Sequence, residues 1–141
     1  GGIARFCGKL SNLYPKNNNL LASIVDQFID LASDITTIIV NTKTEERDNN
    51  FIYEIKRKLT ILDKAIKGDS SFLVNNQISV ADIAIWSLMC WLTSGNVKGL
   101  PKDIGVGYKN LYKICISVDQ NIKINDWIKK SYPSNYSRNF L

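Results

Sequence analysis

Ile78-Ser79-Val80-Ala81-Asp82-Ile83-Ala84-Ile85-Trp86 reads as the start of a helix. Ser79 is a good N-cap residue, and Asp82 stands three positions later. The Ser79 hydroxyl can accept from the Asp82 amide, and the Asp82 carboxylate can accept from the Ser79 amide. This is a capping box, with Asp in place of the usual Glu or Gln. Ile78 before the cap and Ile83 at the fourth helical position complete a hydrophobic staple. From Val80 to about Leu92 the chain carries almost no charge and is apolar all round the helical wheel, the mark of a helix buried on every side. It is shorter than the roughly 20 apolar residues that cross a membrane. The stretch therefore predicts a central core helix with a locally encoded start. Asp82 is a capping acid on this reading. A catalytic acid is the competing reading, but the cap already accounts for both polar residues.

The rest of the composition narrows the function classes. The chain has 141 residues, 45% hydrophobic and 22% charged, which suits one domain over 1–141 with a real core. The net charge of +5 and the pI of about 9.1 permit an acidic or nucleic-acid partner without demanding one. Lys56-Arg57-Lys58 is the longest basic cluster and reads most simply as a solvated helix face. There is no histidine, which removes Ser-His-Asp and Cys-His catalysis and every histidine metal site. Cys7, Cys90 and Cys115 lie too far apart in sequence for a metal-ligand spacing. Each sits in an apolar helical pattern, so each is expected to be a small buried hydrophobe. Their odd number without a framework suggests a reducing compartment. No cofactor or metal is expected. The Gly1-Gly2 opening has no initiator Met and no signal-peptide pattern, and suggests a later domain of a longer protein.

Helical periodicity recurs along the chain. In residues 3–13, Ile3, Phe6, Cys7, Leu10 and Leu13 predict a first amphipathic helix with that stripe in the core. Pro15 and Asn17-Asn18-Asn19 end it. Residues 20–41 form a second, long helix capped by Asn18 or Asn19. Its core stripe runs through Leu21, Ile24, Val25, Phe28, Leu31, Ala32, Ile35 and Ile39. Ser23, Asp26, Gln27, Asp30 and Asp34 form its acidic face. Its β-branched end, Ile35 to Val40, has strand propensity, but the helical period continues through it. Thr44-Glu45-Glu46 resembles a helix N-terminus. A third helix spans Asn50 to Lys67, with Phe51, Ile52, Ile55, Leu59, Leu62, Ala65 and Ile66 inward and Gly68 at its C-cap. Phe72-Leu73-Val74 should tuck against the core before an Asn75-Asn76 turn. After the helix at 80–92, the glycine-rich residues 94–108 look like the loosest part of the chain. Two more helices follow, Tyr108 to Asp119 and Asn121 to Lys130. The second is patterned on Ile122, Ile124, Trp127 and Ile128. Ser131 to Leu141 reads as an extended tail. The fold class is therefore an all-α bundle of about six helices around one apolar helix.

The run Asn75-Asn76-Gln77-Ile78-Ser79-Val80-Ala81-Asp82 before an apolar helix resembles the C-terminal domain of the glutathione transferase fold. The preceding helices and Ile124-Asn125-Asp126-Trp127-Ile128 agree with that likeness, which covers nearly the whole chain. The thioredoxin-like half of that fold is absent from this sequence. Gly2-Ile3-Ala4-Arg5-Phe6, Ile29-Asp30-Leu31-Ala32 and Ser79 to Ser87 further resemble the non-catalytic scaffold proteins of the cytoplasmic multi-aminoacyl-tRNA synthetase complex. That resemblance implies a cytoplasmic protein-interaction module, not an enzyme. Its partners would be aminoacyl-tRNA synthetases, glutamyl-prolyl and aspartyl, or related transferase-like domains. Docking would use the first two helices, with Arg5, Lys9, Asn12, Asp26, Asp30 and Asp34 as the candidate interface, and separately the loop from Thr93 to Tyr108. Two alternatives share the fold: a glutathione transferase with Tyr14 or Trp91 lining a substrate site, and an elongation-factor subunit. Direct RNA binding through Lys56, Arg57, Lys58, Lys123, Lys129 and Lys130 is a weak third reading, because acids interleave with the lysines. No membrane association is expected.

If Asp82 is a folding signal, Asp82→Ala lowers stability by roughly 1 kcal/mol or more in urea unfolding. Partner choice is then unchanged in the folded fraction. Intact stability with lost binding would make the motif a binding element instead.

Overall fold

A computed structural model describes residues 1–68, 70–74 and 76–131. Its helices are α1 (Gly2–Leu10), α2 (Asn19–Asn41), α3 (Asn49–Ala65), α4 (Val80–Thr93), α5 (Lys109–Asp119) and α6 (Ile122–Ser131). No strand occurs among the described residues; Val74 and Gln77 form one isolated antiparallel bridge. The expected all-α architecture is present. The tail from 132 onward and Asn75 lie outside the described residues.

The helix α4 runs through the middle and packs chiefly on α5 and α2. Ala81, Asp82, Ile85 and Met89 are fully buried, and Val80, Trp86, Leu88, Cys90 and Leu92 nearly so. Its capping box is in place. The Asp82 carboxylate accepts from the Ser79 amide at 2.7 Å and the Ser79 hydroxyl at 2.6 Å on one oxygen, and from the Leu73 amide at 2.8 Å on the other. The acid thus orders its own helix and also holds the incoming α3–α4 connection. Burial pushes the Asp82 carboxyl above the usual carboxylate range, against the opposing pull of the Ser79 and Leu73 hydrogen bonds.

The other helices start and stop for local reasons. Asn18 caps α2 by accepting from Leu21 N–H at 3.0 Å, and Asp48 caps α3 by accepting from Phe51 N–H at 2.9 Å. The β-branched end of α2 stays helical to Asn41; Thr36 and Thr42 bond back to the Ala32 and Ile38 carbonyls at 3.0 and 2.7 Å. Thr44–Glu46 is a separate 3-10 turn and not the start of α3, because Asp48 supplies the cap. The helix α3 ends at Ala65 with Ile66 as C-cap. Gly68 lies two residues further on, at φ +80.

Two ties were invisible to local pattern. The helix α5 has no side-chain cap of its own. Asp63 of α3 serves instead, accepting from the Asn110 and Leu111 amides at 2.9 and 3.0 Å. Arg47 donates to the carbonyls of Ile39 at 2.7 Å, Thr42 at 3.2 Å and Lys98, and lies over the Phe51 ring. It closes the end of α2 and pins the loop after α4. That loop, read as loose, places Val97 and Ile104 in the core.

Three further expectations are corrected. The first helix ends at Leu10 and not at 13, because Asn12 takes a left-handed φ of +59. Cys7 is exposed, whereas Cys90 and Cys115 are buried. On α6 only Ile128 is buried; Ile122 and Trp127 face outward.

The raised Asp82 pKa fixes a sign. Between its unfolded value near 3.9 and its folded value, the native state binds the extra proton, so stability falls as pH rises through that window. The stability of wild type minus that of Asp82→Asn should decline over that range and then level off in urea titrations. A difference that grows with pH would mean that the native site favours the carboxylate.

Candidate docking surface on the first helix

The nine residues of α1 carry two different faces. Ala4, Arg5 and Gly8 turn toward the body of the protein, as does the N-cap residue Gly1. Gly8 is buried and lets α1 lie close to α4; a Cβ there would meet Val80 Cγ1 at 3.1 Å and Tyr14 Cβ at 3.3 Å. Just beyond α1, the Leu13 carbonyl accepts from Val80 N–H at 2.8 Å. The chain end of α1 is thereby joined to the first turn of α4.

Polar contacts join α1 to α2. Arg5 Nε donates to Asp26 Oδ1 at 2.6 Å, and Arg5 Nη2 donates to Asp30 Oδ1 at 2.5 Å. Tyr14 Oη donates to the other Asp26 oxygen at 2.9 Å. Lys9 Nζ sits 5.0 Å from the centre of the Tyr14 ring, a cation–π distance. Burial pushes Asp26 up, but the hydrogen bonds from Arg5 and Tyr14 and the Arg5 charge outweigh it and hold this carboxyl below its ordinary value. The Arg5 guanidinium is pushed up in return, first by its bond to Asp30. Burial raises the Tyr14 phenol, and its bond to Asp26 adds to the shift.

The structure thus gathers Arg5, Asp26 and Asp30 from the sequence-derived interface set and engages them with one another. Lys9 joins the edge of the group through Tyr14. Asn12 forms the left-handed turn and accepts from Lys16 Nζ at 2.8 Å. Asp34 is exposed, a turn beyond Asp30. Among these six, the principal ion pairs hold the protein's own α1 in place.

The apolar stripe of α1 does the opposite of what its period predicts. Ile3 is 83% exposed, Phe6 63% and Leu10 70%. Cys7 lies on the same exposed side, and Leu13 is only half-buried. A period-3.6 pattern shows that a helix has an apolar face; it does not say what covers that face. The missed signal was the small pair Ala4 and Gly8 on the other side, with Arg5 between them and aspartates on α2 to receive it. Beside α1, an open groove of about 530 Å³ runs between α2 and α4. Ala4, Ile29, Ala32, Thr36, Ala84 and Trp91 line it. Tyr14, the other candidate for such a lining, is instead buried and bonded to Asp26. No cluster of His, Cys, Asp or Glu that could hold a metal ion occurs among the described residues.

Residues 29–131, from near the middle of α2 to the end of α6, match the family model described as glutathione S-transferase, C-terminal domain. The chain belongs to that family. The matched span of this transferase-type domain contains the capping box, α4 and the Trp91 side of the groove, and α1 precedes it. No curated protein and no solved structure matches the chain.

If Asp26 anchors α1, Asp26→Asn should raise amide hydrogen exchange in α1 while leaving α4 and α5 protected. Equal protection in the variant would show that Gly8 packing alone holds the helix.

Proposed function

We propose that this transferase-type helical domain is a non-catalytic docking module, a scaffold of the cytoplasmic multi-aminoacyl-tRNA synthetase complex. Its likeness to the type-two complex-interacting multifunctional protein supports that assignment. The observation that carries the docking reading is the outward apolar face of α1. Three large apolar side chains on a helix of nine residues are held outward by the two Arg5 ion pairs that fix the helix from behind. A hydrophobic patch on a rigid element, rimmed by Lys9 and Asn12, has the make-up of a protein-interaction surface. Arg5, Asp26 and Asp30 then act as the frame of the interface, and Ile3, Phe6 and Leu10 as its contact residues. The partners proposed are the glutamyl-prolyl and aspartyl-tRNA synthetases or related transferase-like domains.

A second reading, a glutathione transferase, rests on the groove beside α1. Its apolar wall and Trp91 would suit a hydrophobic substrate. The two readings separate in one experiment. The wild-type chain is used to capture partners from a cytoplasmic lysate, alongside Phe6→Glu, and both are passed over glutathione resin. The expected outcome is recovery of a synthetase by wild type and a loss of about tenfold or more in Phe6→Glu, the effect of charging a central apolar contact. Retention on glutathione resin with conjugating activity would instead establish the enzyme.

A further inference from the structure

The second apolar side chain set that points outward is on α6, and its surroundings differ from those of α1. Six of the chain's 18 basic residues and only two of its 13 acids fall in 109–141, so this last quarter holds +4 of the total +5. The basic character of the protein is therefore local. Within α6, Lys123, Trp127 and Lys130 stand at i, i+4 and i+7 and share one face. Trp127 is 53% exposed, and both lysines are exposed. The opposite side of the helix is anchored: Ile128 is buried and Ile124 half-buried. Asn121 accepts from the Lys123 and Ile124 amides at 3.1 and 3.4 Å, and Asn125 Nδ2 donates to the Asp119 carbonyl at 2.6 Å. The indole is thus presented on a fixed platform with a cation on either side.

We propose that this face of α6 binds single-stranded nucleic acid, with a base stacked on Trp127 and the flanking phosphates on Lys123 and Lys130. The chemistry is complementary at both positions. An indole plane gives any unpaired base a stacking surface, and lysines one helical turn away meet the backbone charge. An anionic membrane surface is a poorer fit. Interfacial helices need a continuous apolar stripe, whereas here Ile124 and Ile128 are engaged by the body of the protein and the exposed residue before Trp127 is the acid Asp126. This surface is separate from α1 and does not depend on the docking reading.

The test is fluorescence anisotropy with a labelled oligouridylate at several salt concentrations, using the full chain. Wild type should bind, and weaken as salt rises. Trp127→Ala should weaken binding by about tenfold or more, while Trp127→Phe keeps most of it. Lys123→Glu with Lys130→Glu should reduce the log–log salt slope by about 1.4, the share of two phosphates on a single strand. Lys64→Glu on α3 should do much less. All of these side chains are on the surface, and circular dichroism checks that the fold is kept. No binding by wild type, or binding equal in Trp127→Ala, overturns the proposal. So does Trp127-dependent binding to phosphatidylserine vesicles, or to a protein partner, without oligouridylate binding.

Discussion

Removing the Asp82 carboxylate from water is unfavourable, and three hydrogen bonds offset that cost. Two come from Ser79 and one from Leu73. Together they set the first turn of α4 and the path by which the chain enters it. The rest of the core is arranged on α4: α2 and α5 pack along it, α1 touches its first turn through Gly8, and the Leu13 carbonyl just beyond α1 accepts from the Val80 amide there. An apolar residue at position 82 would fit the burial but leave those donors unmet. A helix apolar all round has no preferred orientation from its own pattern, so a polar fixture at its start supplies one.

Around that centre the remaining order comes from polar side chains that act across elements. Asp63 reaches from α3 to the amides that open α5. Arg47 gathers carbonyls from the end of α2, the following turn and the loop near Lys98. Arg5 joins α1 to two acids on α2. Each satisfies backbone groups or charges that the partner's own element leaves open. Two surfaces result from this framing. The helix α1 is held by its polar side and presents its apolar one. The helix α6 is held by Ile128 and presents an indole between lysines.

Much of the fold was legible in the sequence. Six helices, the capping box at Ser79 and Asp82, the N-cap of α2, and the core stripes of α2 and α3 all follow from interactions within a few residues of one another; the α3 cap, Asp48, was missed because the acids of the preceding turn at Thr44–Glu46 gave the same signal. Such contacts have fixed geometry once a helix forms, so spacing alone encodes them. The candidate site was legible only in part. Arg5, Asp26 and Asp30 were singled out as an outward set, and they turn out to bind each other; charge and spacing name such residues but do not choose their partners.

What the sequence determined by itself is therefore the local order: where helices begin, which faces are apolar, and that α4 lies at the centre. Tertiary structure alone settled which apolar face is covered. The stripes of α1 and α2 look alike on a helical wheel, yet Phe28 and Ile35 are buried while Ile3, Phe6 and Leu10 are not. Gly8 permits a close approach on the other side of α1, and Arg5 finds its acids there. Trp127 follows the same logic on α6. Amphipathicity is a property of one helix, whereas burial is a property of the pair, and the second helix is not written in the first.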